Sequence, residues 1–247
     1  MSSYQVPPLV PCARRRRAVR PSFGIHIRFL LLSAAFCLSL SQCTTIDPAR
    51  KAGIRKVVVA TNVGNEVARH QVGLTAFGNK TVDPIQDSRL RAGVIRILKE
   101  ELQGKFPEVM IVKEEPPMDS PNIFKSIDYR TWGKDLARKH QADAVFVVAG
   151  RYHYPYVAPS YMTAQGLGLW HFGRDARVEC FTWNWLMDAE GKSLGHYSRY
   201  FTGQQLPAIG FEELFSNYSP ADQERIISRC LDEFRLEISS FVKGIGL

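Results

Sequence analysis

The sequence predicts an α/β (α+β) fold in which a single mixed sheet of about five to six strands, including a C-terminal hairpin, is packed by two to three helices. Short β-branched runs such as KVVVATN (56–62) have the length and composition of buried strands. Apolar residues spaced three and four apart indicate amphipathic helices between these runs. Turn residues separate the segments, and the chain contains no internal repeat.

The first half of the domain is expected to begin with two strands and a helix. The run 56–62 forms the first strand, and a second is expected from His70 to Phe77. Asp87 or Ser88 caps the helix, which Gly104 ends. The buried face of this helix is expected to carry Leu90, Val94, Ile97, Leu98 and Leu102.

The middle of the domain continues with a strand, a helix and a strand. EVMIVK (108–113) predicts a short strand, and a proline-rich loop follows it. Trp132, Leu136 and Ala137 lie at the spacing of a short helix. The continuous apolar run AVFVVA (144–149) is typical of a strand covered on both faces, so we expect it at the centre of the sheet.

The C-terminal part predicts a hairpin and a long helix. Alternation over 180–187 places Trp183 and Trp185 on one aromatic face of a half-buried strand. The turn 188–191 joins it to a returning strand, 193–201. Ser219 and Pro220 then begin the last helix, whose buried stripe is expected to contain Ile226, Ile227, Cys230, Leu231, Phe234, Ile238, Phe241 and Val242.

An aromatic loop, 151–177, separates the central strand from the hairpin. Loops of this length without regular structure are uncommon unless they are functional, and aromatic residues are enriched at binding interfaces. We therefore expect Tyr154, Tyr156, Tyr161 and Trp170 to form a protein contact. The alternative is that these rings cover the end of the sheet.

The N-terminal region has the features of an export signal. Six arginines precede an uncharged apolar run, Phe29–Leu40, and no acidic residue occurs before Asp47. This run of twelve residues is shorter than the roughly twenty that a membrane-spanning helix needs. It ends at Leu40-Ser41-Gln42-Cys43, which resembles a bacterial lipobox. This resemblance implies that the Cys43 thiol carries a lipid and becomes the first residue of the mature chain.

The export signal defines the expected organisation of the chain. Residues 1–42 are expected to be a lipoprotein signal peptide, 43–54 a lipidated tether, and 55–247 a single α/β periplasmic domain. An ordinary signal peptidase would instead read Ser39 and Ser41 and leave Gln42 as the N-terminus. A later start near Val19 would remove residues 1–18. Thr44 after the cysteine favours the periplasmic face of the outer membrane, by analogy with enterobacterial sorting.

The mature composition argues against a nucleic-acid partner. The formal net charge is +8, but removal of the six signal arginines leaves 26 basic and 24 acidic residues, a balance of +2. Such a chain is expected to have no basic stripe to neutralise phosphates. Cys180 and Cys230 remain as a possible disulfide in an oxidising compartment. The alternative is that Cys230 is simply a small apolar residue on a helix face.

Neither a metal, nor a cofactor, nor catalysis is expected from the motifs. The mature histidines form no HxH or HExxH spacing, and no Cys-x-x-Cys pair occurs. Ser160 lies in APSYM, which lacks the glycines of a nucleophile elbow. Gly166, Gly168 and Gly173 lack the Lys-Ser/Thr of a phosphate loop.

The order of elements resembles the α/β domain of envelope proteins such as the N-terminal part of TolB, the lipoprotein LpoB and the curli-secretion lipoprotein CsgG. The segments that carry this resemblance are KVVVATN (56–62), ADAVFVVAGRY (142–152) and WNWLMDAEGKSL (183–194). The resemblance implies protein binding or assembly in the cell envelope without a cofactor, with another envelope protein or a second copy as partner. Two alternatives are an envelope hydrolase with a site assembled from scattered residues and a multimeric secretion-channel component.

Overall fold

Two five-stranded β-sheets, a two-stranded sheet of Tyr152–His153 and Ala164–Gln165, and four α-helices make up the described part of the domain. A computed structural model describes residues 45–73, 78–117, 127–153, 164–197 and 203–247, and Cys43–Leu247 forms one compact unit. None of the helices in these ranges is long and apolar enough to span a membrane. The elements follow in the order α1 (Pro48–Gly53), β1 (Lys56–Thr61), β2 (Val67–Val72), β3 (Lys80–Ile85), α2 (Ser88–Leu102), β4 (Glu108–Ile111), α3 (Tyr129–His140), β5 (Ala144–Gly150), β6 (Tyr152–His153), β7 (Ala164–Gln165), β8 (Leu167–Phe172), β9 (Asp175–Cys180), β10 (Thr182–Asp188), β11 (Ser193–Tyr197), β12 (Gln204–Leu206), a 3-10 turn (Phe215–Asn217) and α4 (Pro220–Gly244).

Sheet A contains the strands that the sequence predicted most clearly. Its order is β11-β10-β5-β1-β4, with β1 parallel to both β4 and β5, and β10 antiparallel to β5 and β11. All seven residues of β5 are buried, which confirms it as a strand covered on both faces. The hairpin of β10 and β11 is likewise confirmed.

The prediction of a single sheet is wrong, because a second five-stranded sheet is present. Sheet B has the order β12-β9-β8-β2-β3, in which β2 is parallel to β8 and the other pairs are antiparallel. Strand β8 and the first half of β9 lie in 151–177, the segment predicted to be an aromatic loop. They form a hairpin around Gly173, whose φ of +64° suits a tight turn. Strand β3 was also not predicted.

Helix α4 connects the two sheets through a shared apolar core. Its buried residues pack with Val178 and Leu206 of sheet B and with Val59 and Leu186 of sheet A. The Phe241 ring stacks on Phe146 in β5 with ring centroids 4.8 Å apart. The predicted stripe of α4 is confirmed, although Leu231 is only partly buried. Helix α2 packs in the same core, and α3 covers the opposite face of sheet A.

The described part of the chain holds four α-helices, where two to three were predicted. The additional helix, α1, lies in the segment expected to be a polar tether. The Asp47 side chain caps it by accepting a hydrogen bond from Ala49 N at 2.9 Å. Ile46 and Ile54 on either side are buried, and Ile46 N donates to the Ile245 carbonyl at 2.9 Å. Residues 45–54 are therefore held against the domain.

Candidate functional site

The outer face of β10 carries a row of partly buried aromatic rings. Because side chains alternate along a strand, Trp183, Trp185 and Met187 point to the side of sheet A that α3 covers. Tyr129, the first residue of α3, contacts the same row. Asp128 caps this helix and fixes the position of its first turn, since its side chain accepts from the backbone of residues 130 and 131 at 3.1 Å.

Arg151, Trp183, Trp185 and Tyr129 form one continuous stack, called here the aromatic ladder. The Arg151 guanidinium lies 4.1 Å from the centroid of the Trp183 ring. Trp183 stacks on Trp185 with centroids 5.4 Å apart and planes inclined by 13°, and Trp185 contacts Tyr129 at 4.7 Å. Cation–π and aromatic pairs of this kind are stabilising by about 0.5–1.5 kcal/mol each. The ladder is thus an ordered surface whose indoles remain partly exposed.

The opposite face of β10 is polar but buried. The Asn184 side-chain amide donates to Thr182 Oγ1 at 2.8 Å and to Glu237 Oε1 at 3.0 Å. The Thr182 hydroxyl donates to the same carboxyl oxygen at 3.1 Å. These three residues are at most 2% exposed. The network therefore joins β10 to α4 inside the core and offers no surface to a ligand.

A second buried polar cluster lies on the α4 side of sheet B. Arg69 is 1% exposed and donates to the backbone carbonyls of Asp83 at 3.4 Å, Glu213 at 3.2 Å and Glu212. Its guanidinium lies 5.6 Å from the Tyr218 ring centroid. Arg69 thereby fastens the segment 212–218 to the sheet.

His171 completes this cluster. The Tyr218 hydroxyl accepts from Glu212 N at 3.1 Å and lies 3.1 Å from His171 Nε2. Burial, with a further contribution from the Arg69 charge, lowers the pKa of His171 to about 4. The neutral imidazole is therefore the favoured form, and its Nε2 shares a hydrogen bond with the Tyr218 hydroxyl.

The structure changes the set of predicted contact residues. Trp170 is fully buried and stacks on His70 with ring centroids 4.3 Å apart, so it presents no surface to a partner. Tyr154, Tyr156 and Tyr161 lie outside the described residues. Sequence reasoning recognised an aromatic face on β10 but did not select Trp183, Trp185 or Arg151 as contacts. The signal that identifies them is the Trp-x-Trp spacing on a strand with one predicted half-buried face.

The predicted cysteine roles fall in different parts of the chain. The predicted lipid site, Cys43, lies outside the described residues. Cys180 and Cys230 are both buried thiols and are not joined by a disulfide. Burial raises the pKa of the Cys230 thiol to about 12, so this side chain behaves as an apolar core residue.

Three surface cavities of about 220, 400 and 610 Å³ open on the described part of the domain. The smallest lies where β1 and β5 end and is lined by Asn62, Asn65, Glu115 and Gln165 among others. None of the three is lined by a histidine or cysteine. Within the described ranges, no group of three or more His, Cys, Asp or Glu side chains is arranged to hold a metal ion.

No protein-family model matches this chain, and no curated protein matches it.

Proposed function

We propose that this protein is a lipid-anchored lipoprotein of the cell envelope that binds another envelope protein and has no catalytic role. Cys43 is the proposed lipid site, and the periplasmic face of the outer membrane is the proposed location. The partner contact is assigned to the aromatic ladder rather than to Trp170, which is buried. The resemblance to the TolB, LpoB and CsgG type of domain supports the same kind of partner.

The observation that carries this proposal is the aromatic ladder, in which Arg151, Trp183 and Trp185 are partly exposed and Tyr129 is buried. Trp, Tyr and Arg are the residues that most often dominate the energy of protein interfaces. Their stacking fixes the rotamers before binding, so little side-chain entropy is lost when a partner covers them. Such a surface favours association over catalysis, which needs convergent acid, base or nucleophilic groups.

A crosslinking pull-down from envelope membranes tests the contact. Trp183→Thr together with Trp185→Thr keeps the β-propensity of β10 but removes both indoles. Each truncated anchor is expected to cost about 2 kcal/mol of binding, roughly thirtyfold in affinity. The partner recovered with the unchanged protein should therefore be lost.

Leu236→Ser is the matched control, because Leu236 is an exposed apolar residue on α4, away from the ladder. It should leave the recovered partner unchanged. An unchanged partner set with the double tryptophan variant, in a protein that remains folded by circular dichroism, would contradict the proposed contact.

The anchor is tested separately. Cys43→Ser should move the protein from the membrane fraction to the soluble fraction or leave it unprocessed, because acyl chains and not a spanning helix hold it. Mass spectrometry that finds a mature N-terminus at Gln42 and an unmodified Cys43 would refute the anchor.

A further inference from the structure

A groove with a volume of about 610 Å³ lies between the first turns of α3 and the turn that joins β10 to β11. Gly191 in this turn sits so close to α3 that an added Cβ would lie 2.7 Å from the Arg130 carbonyl oxygen and 3.5 Å from Lys134 Cβ. The turn is therefore packed directly on the helix. The polar residues that line the groove are Arg130, Thr131, Lys134, Glu190, Lys192 and Ser193.

The groove carries three cations and one carboxylate. Among the described residues, Arg130, Lys134 and Lys192 form no ion pair, whereas the neighbouring Arg138 pairs with Asp135 at 3.6 Å. All three unpaired cations are exposed. Their charges add in a concave surface, which is suited to a phosphate-bearing ligand because phosphate offers several acceptor oxygens to Lys and Arg donors.

The groove lies at the end of sheet A where β1 and β5 begin, and the chain enters the domain at this end. Asp188, which precedes the turn, is paired with Ala144 at the start of β5. Asp143 accepts hydrogen bonds from the backbone of Arg55 and Lys56 at 2.9 and 2.8 Å, so β1 and β5 begin side by side. The segment that follows Cys43 thus reaches β1 at the same end of the sheet as the groove.

We propose that this groove binds the phosphate head group of an anionic phospholipid and holds the end of the domain at which β1 and β5 begin on the membrane. The inference rests on the proposed lipid anchor, because a lipid on Cys43 would keep the groove within a short tether of the bilayer. Tethering raises the local concentration of head groups, so weak contacts are sufficient. Each basic residue at an anionic membrane surface strengthens association by about fivefold.

Vesicle binding of the mature chain with Cys43→Ser tests the groove without the acyl chains. The protein is titrated with vesicles of phosphatidylcholine alone or with about one third phosphatidylglycerol. Binding is expected only to the anionic vesicles and should weaken as salt is raised. Arg130→Gln, Lys134→Gln and Lys192→Gln together should lower the partition coefficient by about a hundredfold.

Two further variants keep the result interpretable. Arg96→Gln, Lys99→Gln and Arg174→Gln remove the same charge from other exposed positions and should reduce binding by only a few fold. Glu190→Gln removes the single carboxylate of the groove and should strengthen binding to the anionic vesicles alone by about fivefold, whereas an unfolded chain would also bind phosphatidylcholine vesicles through its exposed apolar side chains.

Several outcomes would overturn the proposal. Equal losses of vesicle binding in the two triple variants would show that binding depends on net charge alone and not on the groove. Binding of free glycerol phosphate without vesicle binding would assign the groove to a soluble phosphate compound. Binding of an acidic peptide, again without vesicle binding, would assign it to a protein. The assay contains no protein partner, so a failed pull-down would contradict the proposed function without affecting this readout.

Discussion

The side-chain amide of Asn184 lies 3.0 Å from Glu237 Oε1, in a part of the core where neither residue is more than 2% exposed. A second asparagine makes a similar hydrogen bond at the surface, where Asn65 donates to Glu115 Oε1 at 2.8 Å. The two pairs share their chemistry and differ in burial. Comparing substitutions of the two asparagines therefore measures how much burial of this hydrogen bond contributes to the free energy of unfolding.

Asn184→Leu should lower the free energy of unfolding by about 1–3 kcal/mol. The substitution keeps a similar volume but leaves a buried carboxyl oxygen and the Thr182 hydroxyl each without one hydrogen bond. Urea denaturation followed by circular dichroism measures the change. Asn65→Ala is the control and should stay within about 0.5 kcal/mol, since water replaces its bond. Equal effects of the two substitutions would show that the buried network contributes nothing beyond a surface contact.

Acid should destabilise the domain through His171. Its pKa in the folded protein is about 4, below the ordinary value of 6.5, so the unfolded chain binds the additional proton between these values. The contribution that neutral His171 makes to the free energy of unfolding is fully present above pH 6.5 and is lost as the pH falls toward 4. The shift corresponds to about 3 kcal/mol at most. Urea midpoints measured from pH 7.5 to 4.5 should fall accordingly.

The matched variants isolate this histidine. His171→Phe should lower stability at neutral pH, because the bond to Tyr218 is lost, but it should flatten the dependence on pH between 7 and 5. His196→Gln changes an exposed histidine in β11 and should retain the slope. A slope that persists in His171→Phe would assign the acid sensitivity to another group.

Gly93 and Gly133 predict opposite results for the same substitution. An alanine Cβ at Gly93 in α2 would lie 2.5 and 2.6 Å from the two methyl carbons of Leu231, so the packing of α2 on α4 must change. Overpacking of this kind costs about 1–3 kcal/mol, more than the roughly 1 kcal/mol gained in helix propensity. Gly93→Ala should therefore lower the melting temperature, and adding Leu231→Ala should remove the steric part of the loss.

Gly133→Ala is the comparison, because the closest atom to its added Cβ is the terminal methyl of Met187 at 2.6 Å. Met187 is 2% exposed, but its unbranched side chain has three rotatable bonds and adapts to a changed space more readily than the branched Leu231. We expect a neutral or slightly stabilising effect. A larger loss than for Gly93→Ala would contradict this account of helix packing.

Ala208→Gly should stabilise the protein by about 0.5–1 kcal/mol. Ala208 has a φ of +61°, a left-handed conformation that is unfavourable for residues with a Cβ. Its backbone N–H donates to Asp175 Oδ1 at 3.0 Å, and glycine keeps this bond. Ala92→Gly, at an exposed position in α2, should instead cost about 1 kcal/mol. Differential scanning calorimetry of the two variants should show melting shifts of opposite sign.

Local sequence patterns were sufficient where apolar residues recurred at helical spacing or formed an uninterrupted run. The cap at Asp87, the apolar stripe of α2 and the continuous run of β5 were all predicted in place. The pattern was ambiguous in 167–172, where Leu167 and Leu169 face α4, and Trp170 and Phe172 are buried or partly buried on the other side. A strand covered on both faces and interrupted by Gly168 has no clear alternation, so the sequence pattern predicts a loop in place of β8.

The sequence by itself determined most strands of sheet A and the long last helix, because these depend on local composition and on spacing within one element. Only the tertiary structure decided that the strands divide into two sheets, since pairing joins β2 to β8 across about one hundred residues. It also decided the surface charge. The balance of +2 is a sum over residues 43–247, whereas folding brings Arg130, Lys134 and Lys192 from two distant segments into one groove. Composition cannot express such a juxtaposition, because electrostatic potential depends on the distances between charges rather than on their sum.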